Sequence, residues 1–428
     1  MEGLPERNQL EPAITWLRRL KFLLIVSAVS GGWRNVALDT APLWSFIMYQ
    51  TRISRAADVL EMKTLKEFIS RSKDAVIDLT IVLDDARPFS IEPKIYSAMD
   101  KRRLEFSPKL REILEQSHRC RSLMLLASDA GIAEAFFPLP PHLPALTDLT
   151  VHTNRDFDDP CDPVLSLFPK GMVCQLRAMT ITTSRLPVIE SIDFCRVHTL
   201  SLSVTDEELS RDSVLRILSL LRSLRTLDIC GIMDPPLGPR LPITMPNITK
   251  ITTDNDTHKW FLDSIIAPQL QHLSLVNSGI PKSLCGSLRT LCLTFELFVS
   301  VLPMMQSTGS QRDLVAMHLT TTPQCSNEAL KYLNGHSAET NFSAGTYRLP
   351  YPSLEFVRIV MTGYGWDSSF RVLLEQRPKL TLCGFGVNPG DVIHSWLDAL
   401  SSDFDSRVLV VAGNSGPTPL SELFSSKR

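Results

Sequence analysis

Residues 223–229 read SLRTLDI and residues 287–293 read SLRTLCL. Their first five residues are identical, and apolar and polar residues alternate in the second half of each. A period of two places Leu227 and Ile229, or Leu291 and Leu293, on one side of an extended chain. Asp228 or Cys292 falls on the other side, so each phrase reads as a strand with one buried face.

Written L-x-x-L-x-L with conservative replacements, the phrase recurs along the chain. It appears as CRSLML from residue 120, LTDLTV from 146, LRAMTI from 176, VHTLSL from 197, ITKITT from 248 and LQHLSL from 270. LVAMHL from 314 and LEFVRI from 354 complete the set. Successive copies start 18 to 30 residues apart, with one gap of 40, which brackets the period of leucine-rich repeats.

Between the phrases the period turns helical. In SRDSVLRILSLL (210–221), Val214, Ile217, Leu218 and Leu221 follow i, i+3, i+4, i+7, with Asp212 or Ser213 as cap. Shorter helical patterns fit 258–266, 295–302, 327–333, 370–376 and 391–400. The expected fold is therefore α/β: an irregular leucine-rich-repeat solenoid with parallel strands on the concave face and helices on the convex face. A conventional α/β domain is the competing fold, but it has no reason to copy one phrase so closely.

If the leucines point inward, the alternate residues form the concave face, in the main short hydroxyl side chains with occasional histidines. Asp148, His152, Asp228, His272, His318 and Arg358 are the candidate contacts for a bound protein, and Phe356 is expected to face out with them. This surface suggests neither a basic track nor a nucleic-acid partner.

Composition is that of an ordinary soluble protein rather than a disordered or polyanion-binding one. The chain has 428 residues, 44% hydrophobic and 21% charged, with a net charge of −2. Its nine cysteines form no C-x-x-C pair, which argues against a zinc site and suits a reducing compartment, cytoplasmic or nuclear. FLLIVSAV at 22–29 is too short to span a bilayer. No P-loop, G-x-S-x-G or H-E-x-x-H motif occurs. The acidic run DFDDPCD at 156–162 lacks the glycine-centred calcium loop, and GFGVNPG at 384–390 reads as a turn. No enzyme activity, metal or cofactor is expected.

The front of the chain departs from the repeat. Residues 16–30 read as a short buried helix broken by Gly31 and Gly32, WRNVAL at 33–38 as a further helical turn or two, and 39–42 as a turn. LLIVSAVSGGWRNVALDTAPLWSFI (23–47) resembles the second half of an F-box in the large F-box/leucine-rich-repeat family of fungi. Val29, Ser30, Trp33, Arg34, Val36, Ala37, Thr40, Pro42, Leu43 and Trp44 fit the pattern. LKEFISRSKDAVIDLTI at 65–81 is similar to the family's next helix and strand. The first F-box helix is degenerate: Leu4 and Pro5 are kept, but Arg7, Asn8 and Gln9 replace apolar positions and Pro12 opposes a helix interior.

The resemblance implies a substrate-recognition subunit of a cullin-RING ubiquitin ligase. Leu4, Pro5, Leu20, Leu23, Leu24 and Val29 would meet a Skp-type adaptor, Trp33 and Trp44 would pack the F-box, and the repeats would hold an unknown protein substrate. The alternative is a repeat scaffold whose eroded F-box recruits no ligase. The expected divisions are an F-box-like domain at 1–50, a linking helix and strand at 51–100, the solenoid at 101–385, and a closing helix, strand and serine-rich tail at 386–428.

Overall fold

The structure is a computed structural model that describes residues 25, 28–51, 65–83, 117–127, 142–153, 173–183, 196–204, 211–233, 242–254, 258–275, 284, 288–294, 313–320, 333, 351–361, 367–386 and 408–412. It is an α/β protein built on one large parallel sheet. The strands are β1 (Phe46–Thr51), β2 (Ile77–Leu83), β3 (Cys120–Ala127), β4 (Asp148–Thr153), β5 (Ala178–Thr183), β6 (Thr199–Val204) and β7 (Thr226–Cys230). They continue as β8 (Lys250–Thr253), β9 (His272–Leu275), β10 (Thr290–Thr294), β11 (Ala316–Thr320), β12 (Phe356–Met361), β13 (Thr381–Gly386) and β14 (Val408–Ala412). Their order in the sheet is their order in the chain. A doubly wound sheet would reverse direction at a switch point; this order has none, which favours repeat-by-repeat growth.

Every repeated phrase lies on one of these strands, and its leucines are buried. Leu149 and Val151, Leu200 and Leu202, Leu227 and Ile229, and Leu291 and Leu293 are at most 3% exposed. The rungs share one hydrogen-bond device. In seven of the phrases the second residue offers its carbonyl to two consecutive amides of the next phrase, as in Thr147 O to Arg177 N and Ala178 N, and Gln271 O to Arg289 N and Thr290 N. Upstream of the phrase, a turn closes onto the first leucine, as in Leu146 N to Leu143 O, Ile248 N to Met245 O and Leu270 N to Ala267 O. Pro144, Pro246, Pro268, Pro352 and Pro378 sit second in such turns, where a fixed φ and missing N–H cost nothing.

Two compact units divide the chain, Met1–Leu224 with Asp228–Asp234, and Arg225–Leu227 with Pro235–Arg428. In the first, β1 to β6 pair parallel in succession. The helix Gly31–Asp39 (α1) is capped by Ser30, whose Oγ accepts from Trp33 N at 3.2 Å. Gly31 and Gly32 therefore open this helix rather than break the one before it. The stretch at 16–30 is described only at 25 and 28–30, where Ile25 and Val29 are 55% and 65% exposed, not buried. After a short 3-10 turn, Ala41–Trp44, Trp44 is buried: Nε1 donates to Ala37 O at 2.7 Å and the ring meets Phe68 edge-on at 5.2 Å. Phe68 belongs to a helix at 65–71 (α2), the helix read from the sequence ahead of β2.

The helix Arg211–Leu220 (α3) buries Val214, Leu215, Ile217 and Leu218, the stripe its periodicity requires, and starts one residue before the expected cap. At the end of β7, Gly231 has φ +114° and a Cβ there would lie 2.4 Å from Val204 O. Only glycine fits.

In the second unit β8 to β14 pair parallel in succession. The helical pattern at 258–266 yields only Lys259–Leu262 (α4) before the chain extends again at Ile265–Ile266. Asp367–Gln376 (α5) contains the pattern at 370–376. Residues 384–386 finish β13 rather than starting a turn. Phe356, expected on the outward face, is 6% exposed, because an aromatic ring that large stays withdrawn from water beside Ala316, its register partner.

The sheet extends past both limits drawn for the solenoid. β1 and β2 precede residue 101 and pair with each other and with β3, and β14 follows residue 385 and pairs with β13. A boundary at residue 50 cuts β1. The repeat phrase was too strict at both ends, since a strand joins a parallel ladder through its backbone and needs no leucine spelling.

Candidate functional site

The outward residues of the first unit fall into rows set by register. One row runs Asp78, Ser122, Asp148, Ala178, Thr199, and another runs Val82, Leu126, His152, Thr182, Ser203. Asp148 is exposed and its Oδ2 accepts from Thr147 Oγ1 at 2.5 Å. Arg121 grips Asp78 with two donors, Nε to Oδ1 at 3.0 Å and Nη2 to Oδ2 at 2.6 Å. That bidentate pair raises the affinity of the Arg121 guanidinium for its proton. Asp228 accepts from Ser201 Oγ at 3.3 Å. His152 lies between Leu126 and Thr182, on a different row from Asp148, so the two are not brought together.

Cys120 lies under this edge, 3% exposed. Burial pushes its thiol up to about 12, and the nearby Asp78 carboxylate adds to the effect. A thiol so protonated is no nucleophile.

In the second unit, one row runs Lys250, His272, Thr290, Ala316, Phe356, Thr381 and the next runs Thr252, Ser274, Cys292, His318, Arg358, Cys383. His318 and Arg358 are thus on adjacent strands, whereas His272 belongs to the other row. Leu4, Pro5, Leu20, Leu23 and Leu24 lie outside the described residues. Trp33, expected to pack, is 57% exposed, and Val36 one turn on is 56% exposed; no described residue covers that side of α1.

Alternation along the strand does not reach the second residue of the phrase, which carries arginine at 121, 177, 225 and 289; it lies just before β5, β7 and β10 and at the bulged start of β3. In the second unit this position combines with the third to bring Arg225, Lys250, His272 and Arg289 onto successive rungs, all exposed. The expectation of a face without basic character is corrected here. Among the described residues no carboxylate forms an ion pair with any of the four. His272 is held below its ordinary value of 6.5, first by partial withdrawal from water and then by the charges of Lys250 and Arg289. Part of the signal was in the letters SLRT at 223–226 and 287–290, which hold arginine at the same place in both copies.

Among the described residues no group of three histidine, cysteine or acidic side chains is placed to hold a metal ion, and no helix is long and apolar enough to cross a membrane. No protein-family model matches the chain, and no curated protein matches it.

Proposed function

We propose that this protein is a non-enzymatic adaptor that uses its leucine-rich parallel sheet to hold one protein and its N-terminal helices to recruit another. The observation that carries the reading is the contrast at the N-terminus. Trp44 is buried, while Ile25, Val29, Trp33 and Val36 are each more than half exposed within twelve residues. Large apolar groups gathered on a surface mark a contact site for another protein. With the F-box resemblance of residues 23–47, that partner is a Skp-type adaptor, and the complex is a cullin-RING ubiquitin ligase whose substrate rests on the repeats. Catalysis then belongs to the partner subunits, and the protein acts in the cytoplasm or nucleus.

Copurification tests this. The full chain, coexpressed with the Skp-type adaptor, is expected to retain it through gel filtration, and a Trp33→Asp/Val36→Asp variant to lose it while keeping its thermal midpoint. A wild-type chain that elutes without adaptor, under conditions where an ordinary F-box protein retains it, sinks the ligase reading and leaves the scaffold.

A further inference from the structure

Among the described residues three cysteines are free, and the fold puts them in three different surroundings. Cys120 is buried. Cys230 is half-buried and its Sγ donates to Asp228 Oδ1 at 4.0 Å, so an acid faces that thiol. Cys292 is also half-buried, but its neighbour across the strand is a histidine: Cys292 on β10 and His318 on β11 are register partners on the outward face. Strands about 4.8 Å apart bring such side chains within reach of each other. Ser274 flanks Cys292 on β9, and Arg358 follows His318 in the same row. One row back, about 6.6 Å along the strands, come Lys250, His272 and Thr290, with Arg289 beside Thr290 in the chain. The nearby described carboxylates, Asp254, Asp313 and Glu355, lie beyond the ends of β8, β11 and β12 rather than in this row.

We propose that Cys292 and His318 form a reactive pair, thiol and imidazole, that exchanges with a small anionic disulfide of the glutathione class. The inference goes beyond the adaptor reading and does not depend on it. Proton transfer from Cys292 to His318 leaves a thiolate beside an imidazolium, the arrangement that makes a partly exposed cysteine in a positive field nucleophilic. The thiolate attacks one sulfur of the disulfide, and the new bond forms as the old one breaks. Cys292 is oxidised, and the departing thiolate is reduced and takes the proton back from His318. Lys250 and Arg289 supply the positive field that draws in the carboxylates of such a reagent. The other cysteine of the row, Cys383, is three strands away. That is about 14 Å, against a limit of about 7 Å between bridged Cα atoms, so the two form no internal disulfide.

The test treats the full-length protein with iodoacetamide, oxidised glutathione or cationic cystamine and reads each site by peptide mass spectrometry. At pH 7 Cys292 is expected to alkylate about tenfold faster than Cys230, with Cys120 unmodified. Between pH 7 and pH 9 its rate is expected to stay nearly flat, where an ordinary thiol gains more than about tenfold. His318→Gln, which cannot carry the proton, is expected to slow Cys292 about tenfold and to leave Cys230 unchanged. Oxidised glutathione is expected to react faster than cystamine, a preference that shrinks in high salt and reverses in Lys250→Glu/Arg289→Glu. Circular dichroism establishes that each variant folds.

In the wild type, alkylation of Cys292 no faster than that of Cys230, or a rate that climbs through pH 8.5 like that of a free cysteine, overturns the proposal. So does an unchanged rate in folded His318→Gln. Equal rates with the two disulfides at low salt overturn the assignment of an anionic reagent. None of these readings involves adaptor retention, so failure here and failure of the adaptor reading are separately visible.

Discussion

Arg121 in the first unit and Arg289 in the second hold the same place in the repeated phrase and are treated in opposite ways. In the first, Arg121 is bridged to Asp78 by two short hydrogen bonds, and that carboxylate raises the guanidinium's affinity for its proton. In the second, Arg289 and Lys250 both act on the suppressed His272, and among the described residues no acid is bridged to Arg289. Where the charge is neutralised it belongs to the strand edge; where it is left open it is available to something else. The second unit does hold an arginine tied down by hydrogen bonds, but indoors. Arg377 is 5% exposed, and its Nη1 and Nη2 donate to Tyr351 O at 2.6 Å and Leu333 O at 3.3 Å.

That buried arginine is where the comparison breaks most readily. Tyr351 has φ +57°, a backbone state that costs a bulky residue energy, and Arg377 ties down its carbonyl. Arg377→Met removes charged donors from two buried carbonyls and is expected to destabilise the second unit by about 3 kcal/mol in urea unfolding. A loss under about 1 kcal/mol would mean the clasp is ornamental.

Asp78→Asn tests the surface pair. Arg121 and Asp78 keep side-chain exposures of 52% and 20%, so solvent screens them and the loss is expected at about 0.5 kcal/mol, shrinking further in high salt. The same variant is expected to leave Cys120 unreactive towards iodoacetamide below pH 9, because burial outweighs Asp78 in raising that thiol. Rapid alkylation of the folded protein would reverse that order.

The smallest effect belongs to His272. Lys250→Ala with Arg289→Ala is expected to raise its titration midpoint, followed by NMR, yet leave it below 6.5, because withdrawal from water is the larger cause. The sign carries to stability. A folded midpoint below the unfolded one means the unfolded chain binds more protons, so stability falls as pH drops through 6.5. A midpoint in the wild type at or above 6.5 would remove the electrostatic support for the open patch.

Much of the architecture could be read from one phrase. Leu227 and Ile229 announce an inward face by alternation, and Val214, Ile217 and Leu218 announce a helix by theirs. The candidate site was read less well. Alternation makes Asp148 and His152 outward residues of one strand, but register puts them on different rows. Trp33 and Trp44 look alike in the sequence, and only Trp44 finds Ala37 O, Phe68 and the Arg71 guanidinium 4.5 Å from its ring. Arg225, Lys250, His272 and Arg289 are 25, 22 and 17 residues apart in the chain, so no local window shows them as neighbours.

By itself, then, the sequence determined which residues form strands and which side of each strand is buried, because alternation and burial are local properties of a chain with a two-residue repeat. Tertiary structure alone decided which polar residues of different strands share a row, and whether a given arginine has a carboxylate beside it. Those depend on register, and register is settled by backbone bonds between segments whose separation in sequence varies from one repeat to the next.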